Sequence, residues 1–152
     1  MLVLRNVLFA VLFYANAAAW FLVACVGFLM PREKFWMFSH GWAASSMWLF
    51  RTIIGAPVEM RGLERVPAGG VIIAAKHQST FETIQLLTQF DRPTYIYKRE
   101  LNAIPLFGWH LKRLGQIPVD RGGGAEAMSQ LAARVRAALA EGRQIIIFPE
   151  GT

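Results

Sequence analysis

A chain of 152 residues is long enough for one domain with one hydrophobic core. It is 55% hydrophobic yet carries a formal net charge of +6, an odd composition for a soluble protein and a suitable one for an anionic membrane surface, where each nearby cation contributes about 1 kcal/mol. The basic residues form no recognisable nucleic-acid motif, and the single cysteine, Cys25, excludes an internal disulfide.

Residues 6–30 contain no charged side chain. As a helix they extend roughly 37 Å at about 1.5 Å per residue, enough to cross a bilayer. A secretory signal is the alternative, with residues 1–5 as its basic region and Ala15-Asn16-Ala17 at cleavage-like spacing. The chain stays apolar well past Ala17, which speaks against it. Residues 35–54 form a second apolar stretch, rich in Phe and Trp but interrupted by Ser39, His40, Ser45, Ser46 and Arg51. Its aromatic content points to an interfacial or re-entrant helix; a buried hairpin in a soluble core is the alternative. Residues 1–54 are therefore expected to be a membrane-associated helical pair, and residues 55–152 a separate α/β part.

Gly55-Ala56-Pro57 marks that boundary. Residues 58–61 alternate as a short strand. Residues 71–75 are β-branched and apolar, and read as a buried strand. The polar run Lys76-His77-Gln78-Ser79-Thr80-Phe81-Glu82 follows as a strand-to-helix turn. Here Ser79 and Glu82 have capping-box spacing, and residues 80–90 continue with apolar positions at helical intervals. Residues 94–97 are a strand and residues 117–119 a brief extended segment. Residues 125–141 form a helix with Met128, Leu131, Val135 and Leu139 as its apolar face, stopped by Gly142. Residues 144–148 are a last buried strand. Strands alternating with helices predict an α/β fold with a largely parallel sheet.

In such sheets ligands bind at the carboxyl ends of strands. His77 stands there with a carboxylate five residues on, as a base with its orienting partner. The capping box offers a structural role for the same Glu82. The two roles are compatible if His77 precedes the helix, because positions five apart within an ideal helix diverge by about 140°. His40 and His110 lack metal-ligand spacing, so no metal is expected.

Three stretches in order carry a family resemblance: His77 through Glu82; Lys98, Glu100, Leu101, Ile104-Pro105 and Gly108 closing on Asp120-Arg121; and Phe148-Pro149-Glu150-Gly151-Thr152. Together they resemble the lysophosphatidic acid acyltransferase family. The usual acid of its first motif is aspartate, and Glu82 departs from it by one methylene. The resemblance implies a glycerophosphate-acyltransferase-like sheet flanked by helices, preceded by two membrane-associated helices. It implies a membrane enzyme, at the inner membrane with its site on the cytoplasmic face. That enzyme moves a fatty acyl group from acyl-CoA or acyl carrier protein to the sn-2 hydroxyl of lysophosphatidate, with no cofactor and no nucleic acid involved; a related acyltransferase acting on another lysolipid, or an inactive membrane-anchored lipid-binding module, is the alternative. It assigns His77 as the base and Glu82 as its partner. Arg121 falls to the phosphate, Glu150, Gly151 and Thr152 to the acceptor site, and Lys98 to a supporting contact. A solvated pair of Arg121 with Asp120 is the structural alternative for that arginine. Family members continue beyond the third motif, so the chain is expected to be the amino-terminal part of a longer protein. Its last strand is then expected to lie at an open, aggregation-prone edge.

Overall fold

The computed structural model describes residues 2–150. Helix α1 (Leu2–Gly27) and helix α2 (Arg32–Leu49, extended by a wider turn at Phe50–Ile54) form an antiparallel hairpin. Along it Gly27 faces Phe38, Gly41 faces Trp20 and Arg5 Nε donates to the Ile53 carbonyl. The polar residues that break the apolar pattern of the two segments meet one another. Asn16 Nδ2 donates to Ser45 Oγ at 2.9 Å and to Ser46 Oγ at 3.0 Å, and Trp20 Nε1 donates to Ser45 Oγ at 3.0 Å. Such side chains fix the register of apolar helices, because an unpaired polar group between them is costly.

Four strands follow: β1 (Val71–Ala74), β2 (Pro93–Lys98), β3 (Ile117–Val119) and β4 (Gln144–Ile147). They make one parallel sheet in the order β1-β4-β2-β3. Helices α3 (Thr80–Leu87), α4 (Phe107–Leu114) and α5 (Gly124–Ala140) complete the α/β fold. Parallel strands covered on both faces read as continuous apolar runs, and β4 shows why. Ile146 packs with Ala43 and Met47 of α2, Ile84 and Leu87 of α3, and Tyr95. Its neighbour Ile145 points the other way, to Ala138 of α5 and Ile117. Both isoleucines are fully buried.

Several expectations change here. The last strand is not an edge: β4 pairs with β1 on one side and β2 on the other. The crossover through α5 returns the chain to the middle of the sheet, leaving β1 and β3 outermost. Residues 58–61 form no strand. Among the described residues no strand pairs with them; instead Glu59 and Arg61 bond each other at 2.8 Å, and Val58 turns into the core beside α2 and α3. On α5, Met128 is 62% exposed, while Leu131, Val135, Leu139 and Ala138 pack on the sheet. The aromatic residues of α2 are divided. Phe35, Trp36 and Phe38 are buried against Ala24 and Trp20 of α1 and Leu114 of α4, and Trp48 faces outward; it is Ala43 and Met47 through which α2 shares a core with the sheet. Helix α1 is long and apolar enough to cross a membrane, and only 6% of its most apolar 18-residue window is buried.

Gly108 shows what close packing demands at the start of α4. A Cβ there lies 2.4 Å from the Asn102 carbonyl oxygen, a backbone atom with no rotamer to escape into. Gly108→Ala is therefore expected to destabilise the fold by about 1–3 kcal/mol, outweighing the roughly 1 kcal/mol gained in helix propensity. Urea unfolding of the two proteins measures the difference.

Candidate active site

Because all four strands run in one direction, the segments leaving their carboxyl ends lie along one edge of the sheet. β1 leads to His77, β4 to Phe148 and Glu150, β2 ends on Lys98, and β3 leads to Asp120 and Arg121. The motifs that are far apart in the chain are thus brought to one side by topology alone.

The centre of that edge is the turn before α3. Ser79 is the N-cap, in extended conformation, and with Glu82 it forms a capping box. This leaves His77 outside the helix, free to face the carboxylate. His77 Nδ1 lies 2.7 Å from Glu82 Oε1. The same oxygen accepts the Gln78 amide at 2.7 Å and the Ser79 amide at 2.8 Å, while Oε2 accepts Ser79 Oγ at 2.9 Å. One carboxylate therefore caps the helix and holds the imidazole.

Burial pushes the Glu82 carboxyl upward, but the Ser79 amide, the His77 ring and the remaining donors outweigh it and bring the pKa from an ordinary 4.5 down to about 2. An ionised carboxylate accepts only. Nδ1 must then carry a proton, and in the neutral ring Nε2 is left with its lone pair, the form a base requires. The His77 side chain is 31% exposed, so the ring is shielded but reachable.

A depressed carboxyl pKa stabilises the fold above the unfolded value and ceases to do so as pH falls through the folded one. Glu82 is thus expected to contribute up to about 3 kcal/mol above pH 4.5, lost progressively down to about pH 2. In acid titrations of stability, the difference between the native protein and Glu82→Gln should shrink across that window.

Phe148 stacks on the His77 ring, with centroids 4.3 Å apart and planes at 29°. Glu150 Oε2 accepts the His77 main-chain N–H at 3.1 Å. Lys98 is exposed at the end of β2, in register with Val119. Arg121 is exposed just beyond β3. Asp120 pairs with Arg99 at 2.8 Å, a partner that sequence order did not suggest, because it comes from the neighbouring strand's exit. Gly151 and Thr152 lie outside the described residues. The contacts of Phe148 and Glu150 to His77 also escaped sequence reasoning. An apolar ring in a motif announces no chemistry, and a contact 73 residues away in the chain has no local signal.

A protein-family model described as Acyltransferase matches residues 57–152. The chain belongs to the acyltransferase family. Over 153 aligned residues it is 38% identical to the 1-acyl-sn-glycerol-3-phosphate acyltransferase of Pseudomonas aeruginosa, covering 98% of this chain and 59% of that protein. It is 33% identical to the lyso-ornithine lipid O-acyltransferase of the same organism, over 69% of this chain and 40% of that protein. A chloroplastic 1-acyl-sn-glycerol-3-phosphate acyltransferase of Arabidopsis thaliana is 28% identical over 98% of this chain and 43% of its own length. The acyltransferase chain thus spans little more than half of these relatives at most. No solved structure matches it.

Proposed function

We propose that this chain carries the catalytic base of a 1-acyl-sn-glycerol-3-phosphate O-acyltransferase. That enzyme moves a fatty acyl group from acyl-CoA or acyl carrier protein to the sn-2 hydroxyl of lysophosphatidate, making phosphatidate. The observation that carries this reading is the 2.7 Å contact between His77 Nδ1 and Glu82 at the carboxyl edge of the sheet, in a chain 38% identical to an enzyme so named.

The chemistry follows from the geometry. An alcohol is a weak nucleophile at neutral pH and needs a base within hydrogen-bond reach. His77 Nε2 takes the hydroxyl proton as the oxygen attacks the thioester carbonyl, forming a C–O bond. Glu82 stabilises the resulting imidazolium and keeps the tautomer fixed. As the tetrahedral intermediate collapses, the C–S bond breaks and the imidazolium returns the proton to the departing thiolate. The acceptor's phosphate needs cations, and Arg121 suits a bidentate contact, with Lys98 beside it as a point charge. β3 is three strands from β1, roughly 14 Å at about 4.8 Å per strand. In this reading the acceptor lies across the exits of β4 and β2, with its hydroxyl toward His77 and its phosphate toward β3. Helix α1 and the basic surface would seat the enzyme on an anionic membrane, at the cytoplasmic face of the inner membrane.

An acceptor panel tests the proposal. The full-length protein is supplied with radiolabelled acyl-CoA or acyl carrier protein and with defined lysolipids. Formation of phosphatidate from lysophosphatidate is the expected result. The likeness to a lyso-ornithine lipid O-acyltransferase supports a second reading, in which the same base serves a lyso-aminolipid. Preferential acylation of that acceptor would replace the first reading. Arg121→Ala is expected to raise the KM for lysophosphatidate about 10-fold or more, the loss for one charge-assisted contact, and to leave a phosphate-free acceptor unaffected.

A further inference from the structure

We infer that Phe148 and Glu150 act as a clamp on the base. The inference rests on His77 being the base proposed above, and it adds a positioning role to the acceptor-site role that resemblance suggests for Glu150.

Three contacts from one strand exit converge on one residue's neighbourhood. The register of the sheet pairs Ala74 with Ile147, and the Ala75 amide donates to the Ile147 carbonyl at 2.9 Å. The end of β4 is thereby locked beside the turn that carries His77. Phe148, the next residue, lays its ring on the imidazole face at 4.3 Å. Glu150 then accepts the His77 amide at 3.1 Å. Behind Phe148, the Tyr95 ring lies nearly parallel at 6.3 Å and is itself anchored, its buried hydroxyl donating to the Thr83 carbonyl at 2.7 Å.

Each contact restrains a different freedom. Glu82 fixes the in-plane direction of the ring through Nδ1, Phe148 fixes its tilt, and Glu150 fixes the backbone it hangs from. The stack has a further consequence for rate. The face of a phenyl ring carries negative charge density and attracts cations. His77 becomes a cation only after it takes the hydroxyl proton. Phe148 therefore favours the transition state over the ground state, which is the kind of interaction that raises kcat and leaves KM alone.

The test reads the positioning of the base apart from the binding of the acceptor. Phe148→Leu, Phe148→Tyr, Glu150→Ala and Glu150→Gln are made in the full-length protein and checked for folding by thermal melts. Phe148→Leu and Glu150→Ala are expected to lower kcat about 10- to 100-fold, the cost of a mispositioned reacting group, and Phe148→Leu to leave the lysophosphatidate KM within about two-fold. Phe148→Tyr keeps the stack, and Glu150→Gln keeps a carbonyl acceptor for the His77 amide, so both should retain most of the activity. In proton–carbon NMR spectra, the His77 ring Cε1–H resonance should move downfield in Phe148→Leu as the ring-current shielding is lost. A rise in acceptor KM with kcat unchanged in Glu150→Ala, or a resonance that does not move in Phe148→Leu, overturns the clamp. The NMR measurement needs no turnover. A full-activity His77→Ala would remove the base itself, while the resonance would still report whether Phe148 lies on that ring.

Discussion

His77→Ala is expected to lower acyl transfer by about two to four orders of magnitude, the usual contribution of a positioned base. Binding of the acceptor should persist, because alanine removes the imidazole while the rest of the carboxyl edge stays in place. The measurement is steady-state transfer to lysophosphatidate with a fixed acyl donor, and the loss should fall on kcat. The fold should survive. The ring is 31% exposed, and its contacts among the described residues are Glu82, Phe148 and a backbone bond that alanine retains. A His77→Ala protein that melts normally and transfers at the native rate would dismiss the proposed chemistry outright.

Glu82→Gln is the second large effect, and it separates two roles that one side chain performs. The glutamine carbonyl still accepts backbone amides at the helix start, so the cap should survive in part, while the contribution of up to about 3 kcal/mol from the ionised carboxylate above pH 4.5 is lost. The charge is gone, however. A neutral amide neither stabilises an imidazolium nor selects the Nδ1–H tautomer, since its NH2 group donates as readily as its oxygen accepts. Transfer is expected to fall by about 10²- to 10⁴-fold. If Glu82→Gln is fully active while His77→Ala is dead, the carboxylate serves the helix cap only. Glu82→Asp tests reach. The five hydrogen bonds that converge on this carboxylate are set for the longer side chain. Aspartate should keep the charge and loosen the geometry, giving an intermediate rate.

The chain order of strands and helices, and the position of His77, follow from local sequence. The β-branched run before His77 and the Ser79–Glu82 spacing locate a strand, a turn and a helix cap within a few residues, because backbone preferences and caps act over that range. Their spacing also places His77 beside Glu82, since a capping box leaves the residue two before the cap outside the helix. The apolar periodicity of residues 125–141 likewise marks α5, though it misplaces Met128, which is 62% exposed.

Tertiary structure decided the rest. No local pattern says that β4 enters between β1 and β2, and that insertion is what carries Phe148 and Glu150 to His77. Hydrogen-bond pairing between strands is set by which edges remain unfilled when the chain returns, a property of the whole sheet. The same holds for residues 58–61, whose alternation fits a strand that finds no partner, and for Asp120, whose cation is Arg99 from the adjacent exit. In α2, aromatic content alone does not separate a helix against lipid from one against a sheet, because both surroundings take apolar rings. Only the packing of α2 against α1 and Leu114 of α4 turned Phe35, Trp36 and Phe38 inward, its docking over β4 and α3 did the same for Ala43 and Met47, and Trp48 was left outside.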